Sequence, residues 1–84
     1  MKMDRLRGIK DLIRFLNYLD HNKISYWLSH DRSDSIMVEI TLLGKRLEVD
    51  FFEDHIEYSV FSGNEDVLDD VPALIGMIKD FVRD

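Results

Sequence analysis

The sequence predicts an α+β fold, a two-layer sandwich in the order α-β-β-β-β-α. A four-stranded antiparallel meander carries an N-terminal and a C-terminal helix on one of its faces. Three observations predict it. Apolar residues recur at three- and four-residue spacings near both ends of the chain, as helices with one buried face require. Between them, residues 24–62 alternate apolar and polar with a period of two, the mark of half-buried strands. Finally, two short turns chosen independently bring the apolar residues of three strands onto a single face.

The first helix is expected from Asp4 to about Asn22. Leu6, Ile9, Leu12, Ile13, Leu16 and Leu19 form its apolar stripe. Arg7, Lys10, Asp11, Arg14 and Asn17 lie on the other side, read as a solvated face. Phe15 and Tyr18 flank the stripe and are expected to cover the edge of the core. The polar run Asp20-His21-Asn22-Lys23 ends the helix.

Four strands follow at Ile24–Ser29, Ser35–Leu42, Lys45–Phe52 and His55–Ser62. Leu43-Gly44 and Glu53-Asp54 make the two turns, with Gly44 supplying a positive φ at little cost. Two-residue turns set Leu42 opposite Lys45 and Phe52 opposite His55. Counting back gives the rows Ile40–Leu47–Val60, Val38–Val49–Tyr58 and Ile36–Phe51–Ile56, all apolar. The polar loop HDRSDS joins the first two strands, and the rows continue if Leu28 lies near Ile36, Tyr26 near Val38 and Ile24 near Ile40. After the fourth strand SGNED is a loop, and Asp69 or Asp70 can cap the last helix, with Pro72 in its first turn. Leu74, Ile75, Ile78, Phe81 and Val82 give that helix its stripe. Gly76 weakens it by about 1 kcal/mol relative to alanine, a cost expected where the helix packs closely on the sheet.

At 84 residues, 45% hydrophobic and 33% charged, the composition is that of one globular domain, residues 1–84. There is no cysteine, so neither a disulfide nor a thiolate metal site is possible. No apolar run approaches a membrane span, and MKMDRLRGIK lacks the apolar core of a signal peptide. The expected compartment is the cytoplasm, with no membrane association. Net charge is −6, unevenly spread. Residues 1–23 hold six basic and three acidic groups, whereas residues 24–84 hold five and fourteen. Direct nucleic-acid binding would call for the opposite field, so none is expected; a basic protein is the natural partner.

The run Leu47–Asp70 holds nine acidic residues and no lysine or arginine. The predicted registers divide it. On the open face of the sheet, one row reads Trp27, Met37, Asp50, Glu57 and the next Ser25, Glu39, Glu48, Ser59. Phe52 sits with His55 at one end, and Arg46 lies between Thr41 and Phe61 at the other. Glu39, Glu48, Asp50 and Glu57 thus form a carboxylate block, although like charges opposite one another destabilise a sheet. Trp27, Met37, Phe52 and Phe61 are expected to add exposed apolar area around it, as protein interfaces favour. A merely solvated acidic face is the alternative. Carboxylate clusters can hold calcium or magnesium, but no EF-hand-like loop is present. His21, His30 and His55 are too scattered for a zinc motif, and Asp54, His55 and Ser59 make no nucleophilic triad. No cofactor, metal or catalysis is expected.

From Tyr26 to Asp70 the chain resembles small acidic immunity proteins encoded beside bacterial polymorphic toxins of the Rhs and contact-dependent inhibition type. The resemblance rests on Met37-Val38-Glu39-Ile40, Gly44, Leu47-Glu48-Val49-Asp50-Phe51-Phe52 and Ile56-Glu57-Tyr58. Asp50, Leu47 and His55 depart from the family pattern, which favours glutamate, tryptophan and glycine there. The resemblance implies a protein that binds and blocks a cognate toxin, and leaves that toxin's chemistry open.

The expected function is therefore neutralisation of a basic, nuclease-like toxin through the acidic sheet face. Partner-binding residues would be Trp27, Met37, Glu39, Glu48, Asp50, Phe52, His55 and Glu57. The alternative is a non-catalytic homodimeric or adaptor module. Repulsion between carboxylate blocks would steer such a dimer to the edge of the first strand or to the aromatic rim, so the chain is expected as a monomer or weak homodimer.

Overall fold

A computed structural model describes residues 6–42, 44–61, 67–68 and 70–82. Its elements are a 3₁₀ turn (Ile9–Asp11), α1 (Leu12–His21), β1 (Tyr26–Ser29), β2 (Ser35–Leu42), β3 (Lys45–Phe52), β4 (Ile56–Phe61), β5 (Val67–Leu68) and α2 (Val71–Val82). The predicted α+β architecture is present. The strands form one antiparallel sheet in the order β1-β2-β3-β4-β5, so the meander has a fifth, two-residue strand beyond the four expected.

The apolar rows fall as the turns dictate. Ile40, Leu47 and Val60 align, as do Val38, Val49 and Tyr58, and Ile36, Phe51 and Ile56. Leu42 faces Lys45 across a connection containing Gly44 at φ +73°, and the Phe52 N–H donates to the His55 carbonyl at 2.9 Å. Alternation fixes which face is which, and the short turns remove the remaining freedom to slip.

The join between β1 and β2 departs from expectation. Tyr26 pairs with Ile40, Trp27 with Glu39, Leu28 with Val38 and Ser29 with Met37, a register two residues displaced from the predicted one. A shift of two preserves the facing of every side chain, so alternation cannot detect it. The polar loop is too long to impose a single register. Ile36 consequently lies beyond β1, and Leu28, placed in a core row, is 52% exposed at the sheet edge.

The N-terminal helix is shorter than predicted. Leu6 and Arg7 precede a bend at Gly8, and the helix proper begins at Leu12; Asp4 lies outside the described residues. A Cβ on Gly8 would stand 2.5 Å from the Glu53 carbonyl oxygen and 2.8 Å from that of Phe52. Chain entry therefore presses against the β3–β4 turn, and the helix can start only after that contact. Asp11, at the start of α1, accepts the Arg7 N–H at 2.7 Å and Arg14 Nη2 at 3.0 Å. Burial opposes its charge, but these two donors outweigh it and hold the carboxyl below its ordinary value.

The buried side of α1 is also rotated from the expected stripe. Phe15 and Tyr18 are core residues with Leu16 and Leu19, whereas Ile9 and Ile13 are exposed. The aromatic rings, larger than the isoleucines, fill the space above the sheet, with Phe15 and Phe51 in tilted contact at 5.3 Å. Lys23, at φ 58°, closes the helix in a Schellman arrangement: Ile24 N–H donates to the Leu19 carbonyl and Lys23 N–H to that of Asp20. A non-glycine residue in this conformation bears a cost of roughly 1–2 kcal/mol, offset by the buried Leu19 and Ile24 that the turn brings together.

At the other end, Asp70 caps α2, its Oδ1 accepting the Ala73 N–H at 3.1 Å, while Asp69, the other acid expected there, lies outside the described residues. Tyr58 Oη donates to the Asp70 carbonyl at 3.0 Å, tying the cap to the sheet. Leu74, Ile75 and Ile78 are buried as expected; the side chains of Phe81 and Val82 lie outside the described residues. A Cβ on Gly76 would meet nothing within 4 Å, so close packing does not account for that glycine. Both helices join one core cluster with Val38, Ile40, Leu47, Val49, Phe51 and Tyr58, all from one face of the sheet. Among the described residues, neither helix lies on the opposite face.

Candidate functional site: the open sheet face

On strands, side chains two apart share a face, so the registers decide which acids meet. Glu39 stands directly opposite Glu48, and Asp50 directly opposite Glu57. The four carboxylates predicted as a block are therefore neighbours, arranged as two like-charge pairs in register. Met37 is opposite Asp50, and Trp27 is opposite Glu39, where Ser25 was expected. Trp27 is 75% exposed.

The aromatic rim is smaller than predicted. Phe52 is 7% exposed, because the His55 ring stacks on it with centroids 4.4 Å apart and the Arg32 guanidinium lies 5.0 Å from its centroid. It supports other groups rather than presenting an anchor of its own. Phe61 is half-buried beneath Arg46, whose Cζ is 4.4 Å from the ring centroid, and Met37 is half-buried too. Of the four expected apolar contributors, Trp27 alone is widely open.

Three cations are interleaved with the acids. Arg46 Nη2 lies 3.5 Å from Glu48 Oε2. His55 bridges two carboxylates, with Nδ1 2.8 Å from Asp54 Oδ1 and Nε2 3.1 Å from Glu57 Oε2. Arg32 pairs with Asp34 at 3.4 Å and adds attraction at Asp50. Among the described residues no ion pair reaches Glu39. Arg46 was legible as a face residue from strand parity. Arg32 was not, since its position depends on the loop and on the β1–β2 register.

Asp50 bears the strain of this arrangement. Burial pushes its carboxyl above the ordinary value, Arg32 pulls the other way, and Glu57 and Asp34 reinforce the rise. It lines a cavity of about 210 Å³ with Ser29, Asp31, Arg32, Ser35, Met37 and Glu48. Ser29 Oγ is buried there without a hydrogen-bond partner, an unmet polar group on the same face. No group of three or more His, Asp or Glu side chains suited to a metal ion occurs among the described residues. Nor is any described helix long and apolar enough to cross a membrane.

The His55 bridge predicts a pH dependence. Hydrogen bonds to Asp54 and then Glu57 raise the imidazolium above its ordinary 6.5, and the same contact lowers Asp54 below 3.8. The His55 contribution is complete below pH 6.5 and is lost as pH rises through the raised value. The Asp54 contribution is complete above pH 3.8 and is lost as pH falls through the lowered one. In an NMR titration the His55 ring should titrate above 6.5, and Glu57→Gln should move the midpoint down. A midpoint that Glu57→Gln leaves in place would show that the bridge does not form in solution.

Comparison of the chain with protein-family models, with curated proteins and with solved structures returns no match.

Proposed function

We propose that this chain is an immunity-type inhibitor, without catalysis of its own, that covers a basic, nuclease-like toxin with its open sheet face. One observation carries the reading. Two pairs of like charges, Glu39 with Glu48 and Asp50 with Glu57, stand in register on a face that neither helix covers. Cross-strand neighbours of opposite charge stabilise a sheet by roughly 0.2–1 kcal/mol and like charges oppose it. A sheet selected for stability alone would place lysine or threonine at one member of each pair. A cationic partner relieves the repulsion, so association collects energy that folding left unspent.

In this reading Trp27 is the apolar anchor beside Glu39, and Glu48, Asp50 and Glu57 meet lysine and arginine side chains that would otherwise hold phosphate. Phe52 acts from beneath, holding His55 and Arg32 in place. Long-range attraction between the acidic face and a basic cleft should speed encounter and weaken as salt is added.

This reading expects a toxin domain to be encoded beside this chain's gene, and the test uses that domain. Wild-type protein should bind it and protect cells against it, with affinity falling as salt rises. The double variant Glu48→Lys with Asp50→Lys should lose at least a hundredfold in affinity, about 3 kcal/mol. The same variant should remain folded: each new lysine faces an acid across the strands, which offsets the loss of the part-exposed Arg46–Glu48 contact and of the Arg32 attraction at Asp50. Unchanged affinity would eliminate this face as the binding surface, and the absence of any neighbouring toxin gene would count against the immunity reading itself.

A further inference from the structure

We propose that the cavity between the β1–β2 loop and the open sheet face is a pocket for one guanidinium group, the head of an arginine side chain on a protein partner. That a partner's arginine brings it there rests on the inhibitor reading; the pocket itself does not. Strand pairing sets its floor. Ser29 on β1 is opposite Met37 on β2, and Met37 is opposite Asp50 on β3, so the three stand in line on the face away from the core. Asp31 and Arg32 border the cavity from the loop, Glu48 from β3 and the buried Ser35 from the start of β2. The space they enclose is about 210 Å³.

Charge, hydrogen bonding and burial each leave a group unmet there. Asp31, Glu48 and Asp50 face the single cation Arg32, which is itself drawn to Asp34 at 3.4 Å. Glu48 has Arg46 at 3.5 Å, but among the described residues no ion pair reaches Asp31 or Asp50. Ser29 Oγ is buried without a hydrogen-bond partner, a rare state for a polar atom in a folded chain. A hydroxyl accepts as well as donates, so an N–H entering the cavity would satisfy it. Asp50 is part-buried, and the attraction of Arg32 does not cancel what burial costs its charge. A divalent ion does not answer these needs, because the three carboxylates are not grouped closely enough to share one. An ammonium is strongly hydrated and donates from one point. A guanidinium is weakly hydrated and donates from separate nitrogens around a plane, which suits acceptors on β1 and β3 with the Met37 side chain between them.

An NMR titration of the chain alone with N-acetyl-arginine amide tests the pocket. Saturable shifts should centre on Ser29, Asp31, Met37 and Asp50, be absent with sodium chloride at equal ionic strength, and be weaker with N-acetyl-lysine amide. Asp50→Asn, which keeps the shape of the side chain, should lower the affinity by about tenfold or more. Ser29→Ala should lower it about threefold without lowering the melting temperature, because Oγ has no partner in the free protein. Arg32→Gln should raise it by removing the like charge beside the site. Absence of a saturable shift, or shifts that Asp50→Asn leaves in place, overturns the pocket. Free L-arginine binding more tightly than the capped form would make the ligand the amino acid and overturn the protein side chain as its source. So would a toxin held equally well by wild type, Asp50→Asn and Ser29→Ala. A toxin that wild type does not bind would overturn the inhibitor reading, while the pocket is still decided by the capped arginine.

Discussion

Replacing Phe15 with alanine should destabilise the fold by about 3–5 kcal/mol, the range for truncating a wholly buried aromatic ring. Its ring is wholly buried and meets Phe51 at 5.3 Å, at the centre of the helix–sheet contact. Truncation removes the transfer free energy of the ring and leaves a void that the antiparallel sheet beneath cannot close by moving. Small domains have on the order of 5–15 kcal/mol of total stability, so the variant should sit close to unfolding at ambient temperature. Urea denaturation would show this as a strongly lowered midpoint at unchanged slope. Ile13→Ala is the companion measurement. Ile13 belongs to the stripe read from helical spacing but is 66% exposed, so its loss should be within about 0.5 kcal/mol. Comparable losses at the two positions would mean that α1 is rotated from the orientation described.

Gly8→Ala should cost about 2–3 kcal/mol, the upper part of the range for overpacking. The new methyl would lie 2.5 Å from one backbone oxygen and 2.8 Å from another, and neither can rotate away as a side chain would. The chain entry must separate from the β3–β4 turn, which also carries Asp54 and His55. Gly76→Ala provides the contrast: with open space around it, alanine should stabilise α2 by about 1 kcal/mol. Thermal melts of the two variants should move in opposite directions. A Gly8→Ala protein that melts with wild type would show that the entry segment does not rest on the turn.

The consequences for the open face follow from the same contacts. Gly8 bears on Glu53, Phe52 supports His55 and Arg32, and His55 reaches Glu57. The entry segment, far in sequence from the carboxylates, thereby helps to position one end of the acidic face. Arg46 on Phe61 does the same at the other end. The acids are thus not a free cluster but a set partly screened by cations resting on aromatic rings, with Glu39 beside the exposed Trp27 as the least compensated part.

What the sequence by itself determined is the order of the two helices and the first four strands, the facing of their residues and the β2–β3–β4 register; the short β5 was not legible in it. Period-two alternation assigns faces without knowledge of the rest of the chain, and two-residue turns leave no room to slip. The two like-charge pairs follow directly from that register, which is why the carboxylate block is legible in the sequence. Only the tertiary structure decided the β1–β2 register, because a long loop admits shifts of two that alternation cannot see. It moved Trp27 beside Glu39 and left Leu28 at the edge. It also decided which side of α1 is buried, since helical spacing gave one stripe with Phe15 and Tyr18 at its edge, and ring volume above the sheet turned the buried side towards them. The burial of Phe52 under His55 and Arg32 lay equally beyond the sequence, because such contacts join residues whose proximity depends on loops. Local periodicity sets the pattern of a strand or helix; packing between elements sets which surface is left for a partner.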